Sequence, residues 1–306
     1  MYDSILVPLD GSSLAEQALT IAHILAQRSG ATLRLVHVHN PYHPIYMEGL
    51  PVVDEQLQPL HELHERTYLE KLRDRLQNEA HIEIIGDLLD GPIAQTLAAH
   101  ATSSGSDLIV MTTHGYSGFE RLWLGSIAET LVRLSPVPLL LRRLHADAPA
   151  DSVPFTCRQI LIPLDGSAAA EQILLPALRF GRTMGATFRL LHIIDPSVPP
   201  GARALPSMGE MRDDSTEARQ TAAEMYLQKA AQQLRDQGVQ VETQIETHKR
   251  PAVAIMECAE QHNMDLIAMA THGRGGLQRL LLGSVSDKVL RGSDLPLLLY
   301  RPRDGV

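Results

Sequence analysis

Cysteine is nearly missing: Cys157 and Cys258 are the only two thiols in 306 residues. So low a count excludes a disulfide-stapled scaffold and predicts two reduced thiols inside a cell. No stretch reaches the 18 or more consecutive apolar residues of a membrane span. The opening Met1–Asp10 lacks the basic start and long apolar core of a secretory signal, so a cytoplasmic location is expected. Basic runs are absent too. Lys and Arg total 27 against 36 Asp and Glu, a formal charge of −9 that suits no nucleic-acid backbone. Several catalytic signatures are missing. There is no Gly-x-Gly-x-x-Gly after the first apolar run, no Gly-x4-Gly-Lys-Ser/Thr and no Gly-x-Ser-x-Gly. His61-Glu62-Leu63-His64 has the wrong spacing for a His-Glu-x-x-His zinc site. No catalytic residue and no metal-ligand set is therefore assigned.

What the chain does contain, it contains twice. At an offset of 158, residues 113–142 and 271–300 share 15 of 30 identities, with Thr-His-Gly-x-x-Gly-x6-Gly-Ser at the head of each. At an offset of 155, residues 4–19 and 159–174 match at 11 of 16 positions, including Ile-Leu-x-Pro-Leu-Asp-Gly-Ser. Thr-x-Arg-Leu-x-His recurs at Thr32–His37 and Thr187–His192. Self-similarity at so long a period predicts two whole domains, each long enough to bury its own core. The boundaries read as 1–143 and 158–303, joined by an Ala/Asp/Pro/Ser-rich linker at 144–157.

Each half alternates short apolar runs with helical periodicity, the pattern of a parallel sheet with crossover helices. Strands are predicted at Ser4–Leu9, Thr32–Val38, Ile82–Ile85, Leu108–Thr112 and Val137–Leu141. The second half predicts them near Ile160–Leu164, Thr187–Ile193, Val241–Glu246, Leu266–Ala270 and Pro296–Tyr300. Helices are predicted at Leu14–Arg28, Asp54–Glu79, Pro92–Ser103 and Ile127–Leu134, then at Ala169–Met184, Asp213–Gln237, Ala252–His262 and Val285–Arg291. The Pro-rich stretches Asn40–Pro51 and Asp195–Pro206 exceed ordinary connections; each reads either as a lid over a ligand or as a surface excursion.

In open α/β sheets, ligands bind beyond the carboxyl ends of the strands. There Gly115, Gly118, Gly125 and Ser126, and in the second half Gly273, Gly276, Gly283 and Ser284, can present backbone N–H groups to an anion at a helix start. The competing reading takes Ser126-x-x-Glu129 and Ser284-x-x-Asp287 as capping boxes with no ligand. Asp10 and Asp165 close the first strands, and either accept hydrogen bonds from a ligand or form an Asx turn ahead of a Ser13-x-x-Glu16 cap. His114 and His272 fall in the loops, where they either meet phosphate or shape the turn. His37 and His192 read as satisfied core histidines.

These motifs resemble the universal stress protein family, in particular its tandem-domain members with ATP-binding loops, over nearly the whole chain. The resemblance rests on Ile-Leu-x-Pro-Leu-Asp-Gly-Ser and on Thr-His-Gly…Leu-Gly-Ser. In the family's loop, Gly-x2-Gly-x9-Gly-Ser/Thr, the first glycine is replaced here by Thr112 and Ala270. The resemblance implies an α/β fold of two tandem Rossmann-like domains of the adenine nucleotide alpha-hydrolase type, each a five-stranded parallel sheet flanked by helices. It implies a nucleotide set of Pro8, Asp10, Val38, Thr112, Gly115, Gly118, Gly125, Ser126 and Ile127 in the first half. In the second half the set is Pro163, Asp165, Ile193, Ala270, Gly273, Gly276, Gly283, Ser284, Val285 and Ser286. Val38 and Ile193 would touch adenine; Ser286, whose counterpart is Ala128, would tighten the second site. The implied ligand is ATP, AMP or ADP, with Mg2+ on the phosphates. Implied partners are an internal pseudo-dimer of the two halves and a homodimer, without nucleic acid or membrane. The implied role is a stress-response sensor or regulator; a slow Mg2+-dependent ATPase or nucleotidyl enzyme and a nucleotide-free interaction module stay open.

Overall fold

The computed structural model describes residues 1–40, 45–47, 50–52, 58–79, 82–115, 125–145, 155–197, 216–271 and 282–302. The chain divides into two compact units, the first comprising Met1–His114 and Gly125–Phe155, the second continuing from Thr156.

The first unit runs β1 (Ser4–Leu9), α1 (Ser13–Glu16), α2 (Ala18–Ser29), β2 (Thr32–His39), β3 (Ile45–Met47), β4 (Leu50–Val52), α3 (Gln58–Glu79), β5 (Ile84–Asp90), α4 (Ile93–Ser103), β6 (Leu108–Gly115), α5 (Ser126–Leu134) and β7 (Leu139–His145). Its main strands are ordered β5-β2-β1-β6-β7. β1 pairs in parallel with both β2 and β6, and β2 with β5. Apolar residues of β1 point to both faces and are sealed: Ile5, Leu6 and Val7 are fully buried. That is why the run lacks polar alternation. Ile21 and Leu25 of α2 and Leu131 of α5 complete the core.

The second unit runs β8 (Gln159–Pro163), α6 (Ala168–Glu171), α7 (Leu174–Met184), β9 (Thr187–Ile194), α8 (Thr216–Arg235), β10 (Val241–Thr247), α9 (Pro251–Gln261), β11 (Leu266–Ala270), α10 (Ser284–Gly292) and β12 (Leu297–Tyr300). Its strand order, β10-β9-β8-β11-β12, repeats the first, with all four adjacent pairs parallel. Phe180 of α7 is the largest fully buried side chain among its described residues.

Two expectations need correcting. The single helices predicted from Leu14 and Ala169 are each broken in two, at Gln17 and at Gln172–Ile173. The third strand starts at Ile84 and runs to Asp90, well past the predicted Ile85. It is an edge strand, largely half-exposed over Gly86–Asp90, and Gly86, Asp87 and Asp90 interrupt the apolar run there. Part of the stretch after β2 forms an antiparallel hairpin, Ile45 opposite Val52 and Met47 opposite Leu50. The corresponding stretch beyond Ser197, and the linker core at 146–154, lie outside the described residues.

Both cysteines are buried free thiols, and Cys157 packs inside the second unit. Burial, helped by the Asp265 charge, pushes the Cys157 thiol up to about 12. Burial and the Glu246 charge, opposed by Arg189, push Cys258 up to about 11. Thiolate is the reactive form. Neither thiol should therefore take up iodoacetamide at pH 7.5 in the folded protein, and both should do so in denaturant; intact-mass measurement checks this.

Candidate functional site

In each unit the chain leaves the central strand toward one edge and later returns on its other side. The switch points are therefore β1/β6 and β8/β11, and open α/β sheets bind ligands beyond the carboxyl ends of the strands at such points.

In the first unit, Asp10 follows β1 directly. Its Oδ1 accepts the Ser12 N–H at 2.9 Å, and Ser12 Oγ accepts the Ala15 N–H at 3.1 Å. The Asx turn is real, and Ser12, one residue earlier than expected, caps α1. An exposed carboxylate has about four acceptor positions, so one N–H leaves Asp10 able to receive more. Thr112 Oγ1 donates to Leu14 O at 2.8 Å, so that proton ties β6 to α1 and is not offered to phosphate. Pro8 is half-buried opposite Val36. Val38 is only 7% exposed and offers adenine almost no side-chain surface.

Gly125 is the N-cap of α5, with exposed Ser126 in the first turn and no side chain capping the helix. The capping-box reading of Ser126 therefore fails. Among the described residues no acceptor meets the amides of Ser126, Ile127 or Ala128. Helices α4 and α9 also start without a side-chain cap. What distinguishes α5 is its place beside the switch point.

In the second unit, Asp165 Oδ1 accepts the Ser167 N–H at 2.9 Å and its hydroxyl at 2.6 Å, and Ser167 caps α6. Gly283 is the N-cap of α10 and exposed Ser284 follows, again without a side-chain cap. The Gly283 N–H donates to Thr271 O at 2.8 Å, so it is not available to an anion. Ser286 is 5% exposed and donates to Ala270 O at 3.0 Å, so it does not face a ligand. The amides of Ser284 and Val285 remain beside the Ser284 hydroxyl. Ala270 is buried, while Pro163, Ile193 and Val285 are half-exposed. Gly115 ends β6; Gly118, Gly273, Gly276 and His272 lie outside the described residues, as do both loop arginines, Arg121 and Arg279.

His192 Nδ1 is 2.8 Å from Leu164 O, as a satisfied core histidine should be. His37 is different. Its Nε2 lies 3.3 Å from Glu65 Oε1 and its buried Nδ1 has no partner among the described residues, while Glu65 Oε2 meets His39 Nδ1 at 2.7 Å. Glu65 and Tyr68, both on α3, pin that helix over the edge of the sheet. Tyr68 donates to Glu16 Oε1 at 3.1 Å, and Arg75 pairs with Glu16 Oε2 at 2.8 Å. Among the described residues no group of three or more His, Cys, Asp or Glu could hold a metal ion. Sequence reasoning missed this α3 lock, although Tyr68 and Tyr226 recur at the same offset of 158. Both rings stand edge-on to a strand histidine, His37 and His192.

Burial, then the charge and hydrogen bond of Glu16 and the charge of Asp10, push the Tyr68 phenol up, against the opposing pull of Arg75. A raised folded value means the phenol's stabilisation is complete below the ordinary tyrosine range near 10 and is lost as pH climbs past it. The first unit should therefore lose stability above about pH 10. Tyr68→Phe should flatten that dependence, which urea midpoints from pH 8 to 11 would reveal.

Comparison with known proteins gives a consistent picture. The model of the universal stress protein family matches residues 1–143 and again 156–301. A universal stress protein of Mycolicibacterium smegmatis is 27% identical over 304 residues, spanning 98% of this chain and 97% of its own. One from Methanocaldococcus jannaschii is 31% identical over 144 residues, 47% of this chain and 82% of its own. Among solved structures, a universal stress protein from Archaeoglobus fulgidus aligns with a TM-score of 0.67 at 19% identity, covering 99% of this chain and 97% of that one.

Proposed function

The chain belongs to the universal stress protein family, and from that premise we propose that each unit binds an adenine nucleotide at its switch point, as a regulator and not a catalyst. One observation carries the reading. At the start of α5, amides that meet no acceptor among the described residues stand beside a glycine whose added Cβ would meet none of those residues within 4 Å. A helix N-terminus carries roughly half a positive charge, so amides and dipole together favour a phosphate there. The phosphates lie on Gly125, Ser126 and Ile127 in the first unit and on Ser284 and Val285 in the second. Asp10 and Asp165, oriented by their turns, accept from the ribose hydroxyls. Ile193 flanks the base. The proposed phosphate contacts extend to Gly115, Gly118, Gly273 and Gly276.

Mg2+ would take most of its ligands from phosphate and water, as that ion commonly does. The domains are assigned to 1–143 and 158–303, and the protein to the cytoplasm as a homodimer. Among the described residues no helix is long and apolar enough to cross a membrane.

The test is mass spectrometry of small molecules released from freshly purified protein, with calorimetric titration of ATP, ADP and AMP into stripped protein. Released adenine nucleotide and saturable binding are expected. Nucleotide-free protein that shows neither heat of binding nor thermal shift would overturn the reading.

A further inference from the structure

We propose that Ser286 is a positioning residue that sets the phosphate-facing turn of α10 in advance, so that the second unit holds nucleotide more tightly than the first. This deepens the nucleotide reading and rests on it. Ser286 is not a contact for the ligand: it is 5% exposed and its hydroxyl donates to Ala270 O at 3.0 Å. Three residues earlier, the Gly283 N–H donates to Thr271 O at 2.8 Å. Thr271 is itself 1% exposed and its N–H bonds to Tyr300 O of β12 at 2.9 Å. The first turn of α10 is thus fastened at both ends to the last residues of β11 and, through Thr271, to the neighbouring strand.

The first unit supplies the control within the same chain. Ala128 occupies the position of Ser286, third in the helix after its glycine N-cap, and is 2% exposed. It has no hydroxyl to reach back to the strand. Thr112, where the second unit has Ala270, sends its own hydroxyl elsewhere, to Leu14 O of α1. The end of β6 is therefore fastened to α1 and the end of β11 to α10. A turn fixed before binding loses less conformational entropy when phosphate arrives, so its affinity is higher.

The experiment uses the full chain as wild type, Ser286→Ala, Ser286→Thr and Ala128→Ser. Amide hydrogen exchange is followed without ligand over 284–288 and 126–130, and ATP is titrated by calorimetry. Slower exchange in the α10 turn than in the α5 turn is expected, together with two affinity classes. Ser286→Ala should erase the exchange difference and weaken the tighter class about three- to tenfold, as expected for one lost hydrogen bond. Ser286→Thr should retain both properties, and Ala128→Ser should slow the α5 turn and tighten the weaker class. Equal exchange in the two turns of the wild type, or unchanged affinities in Ser286→Ala, overturns the proposal. An exchange difference without any ATP binding overturns the nucleotide reading instead, and with it the link to affinity.

Discussion

Valine at both Gly125 and Gly283 should remove nucleotide from the protein while leaving it folded. Neither glycine is demanded by its own backbone: φ is −56° at Gly125 and −63° at Gly283, values open to any residue. Nor is any described residue an obstacle at Gly125, where a Cβ meets none of them within 4 Å. A valine there projects into the crevice and holds a phosphate away from the amides of the first turn. The affinity of the double variant should fall by more than about a hundredfold, roughly 2.7 kcal/mol. Because valine is a poorer N-cap than glycine, each helix should lose only about 1 kcal/mol. Calorimetry with ATP beside far-ultraviolet circular dichroism separates the two effects. Retained nucleotide in a folded double variant would show that the phosphates lie elsewhere.

Gly181→Val should cost the second unit more stability than any exposed substitution. Gly181 lies inside α7, where a glycine is unfavourable for the helix itself. Its reason is space. An added Cβ would overlap the Phe188 ring and come within 3.2 Å of Ile160 Cδ1, and both residues are buried in the sheet beneath. Overpacking of this kind costs typically 1–3 kcal/mol, and a β-branched side chain lies at the upper end, about 3 kcal/mol. For a unit of this size that lowers its melting temperature by about 6–12 °C. Hydrogen exchange in peptides of β8 and β9 should accelerate while those of β1 and β2 stay unchanged. Unaltered exchange in β8 would show that Phe188 moves aside at little cost.

The two glycine predictions differ in how visible they were. Gly125 and Gly283 stand out because the surrounding motif is repeated at a fixed offset. Gly181 has no such signal, since nothing local says that a ring from the next strand presses on it. The same contrast runs through the site. Asp10 and the loop glycines could be assigned to one sheet edge from alternating strands and helices alone. Whether a given hydroxyl faced ligand or protein could not, and Thr112 and Ser286 both turned inward.

The order of apolar runs and helices, with the doubled motifs, determined two α/β units, a parallel sheet in each and the edge at which a ligand would bind. Those features follow from periodicity and chain connectivity, which are local properties written along the sequence. Only the tertiary structure decided where each polar group spent its hydrogen bonds: Ser12 as the cap instead of Ser13, the Gly283 amide on Thr271, Glu65 between two histidines. A hydrogen bond is settled by distances of a few tenths of an ångström between segments far apart in the chain, and no pattern along the sequence encodes that separation.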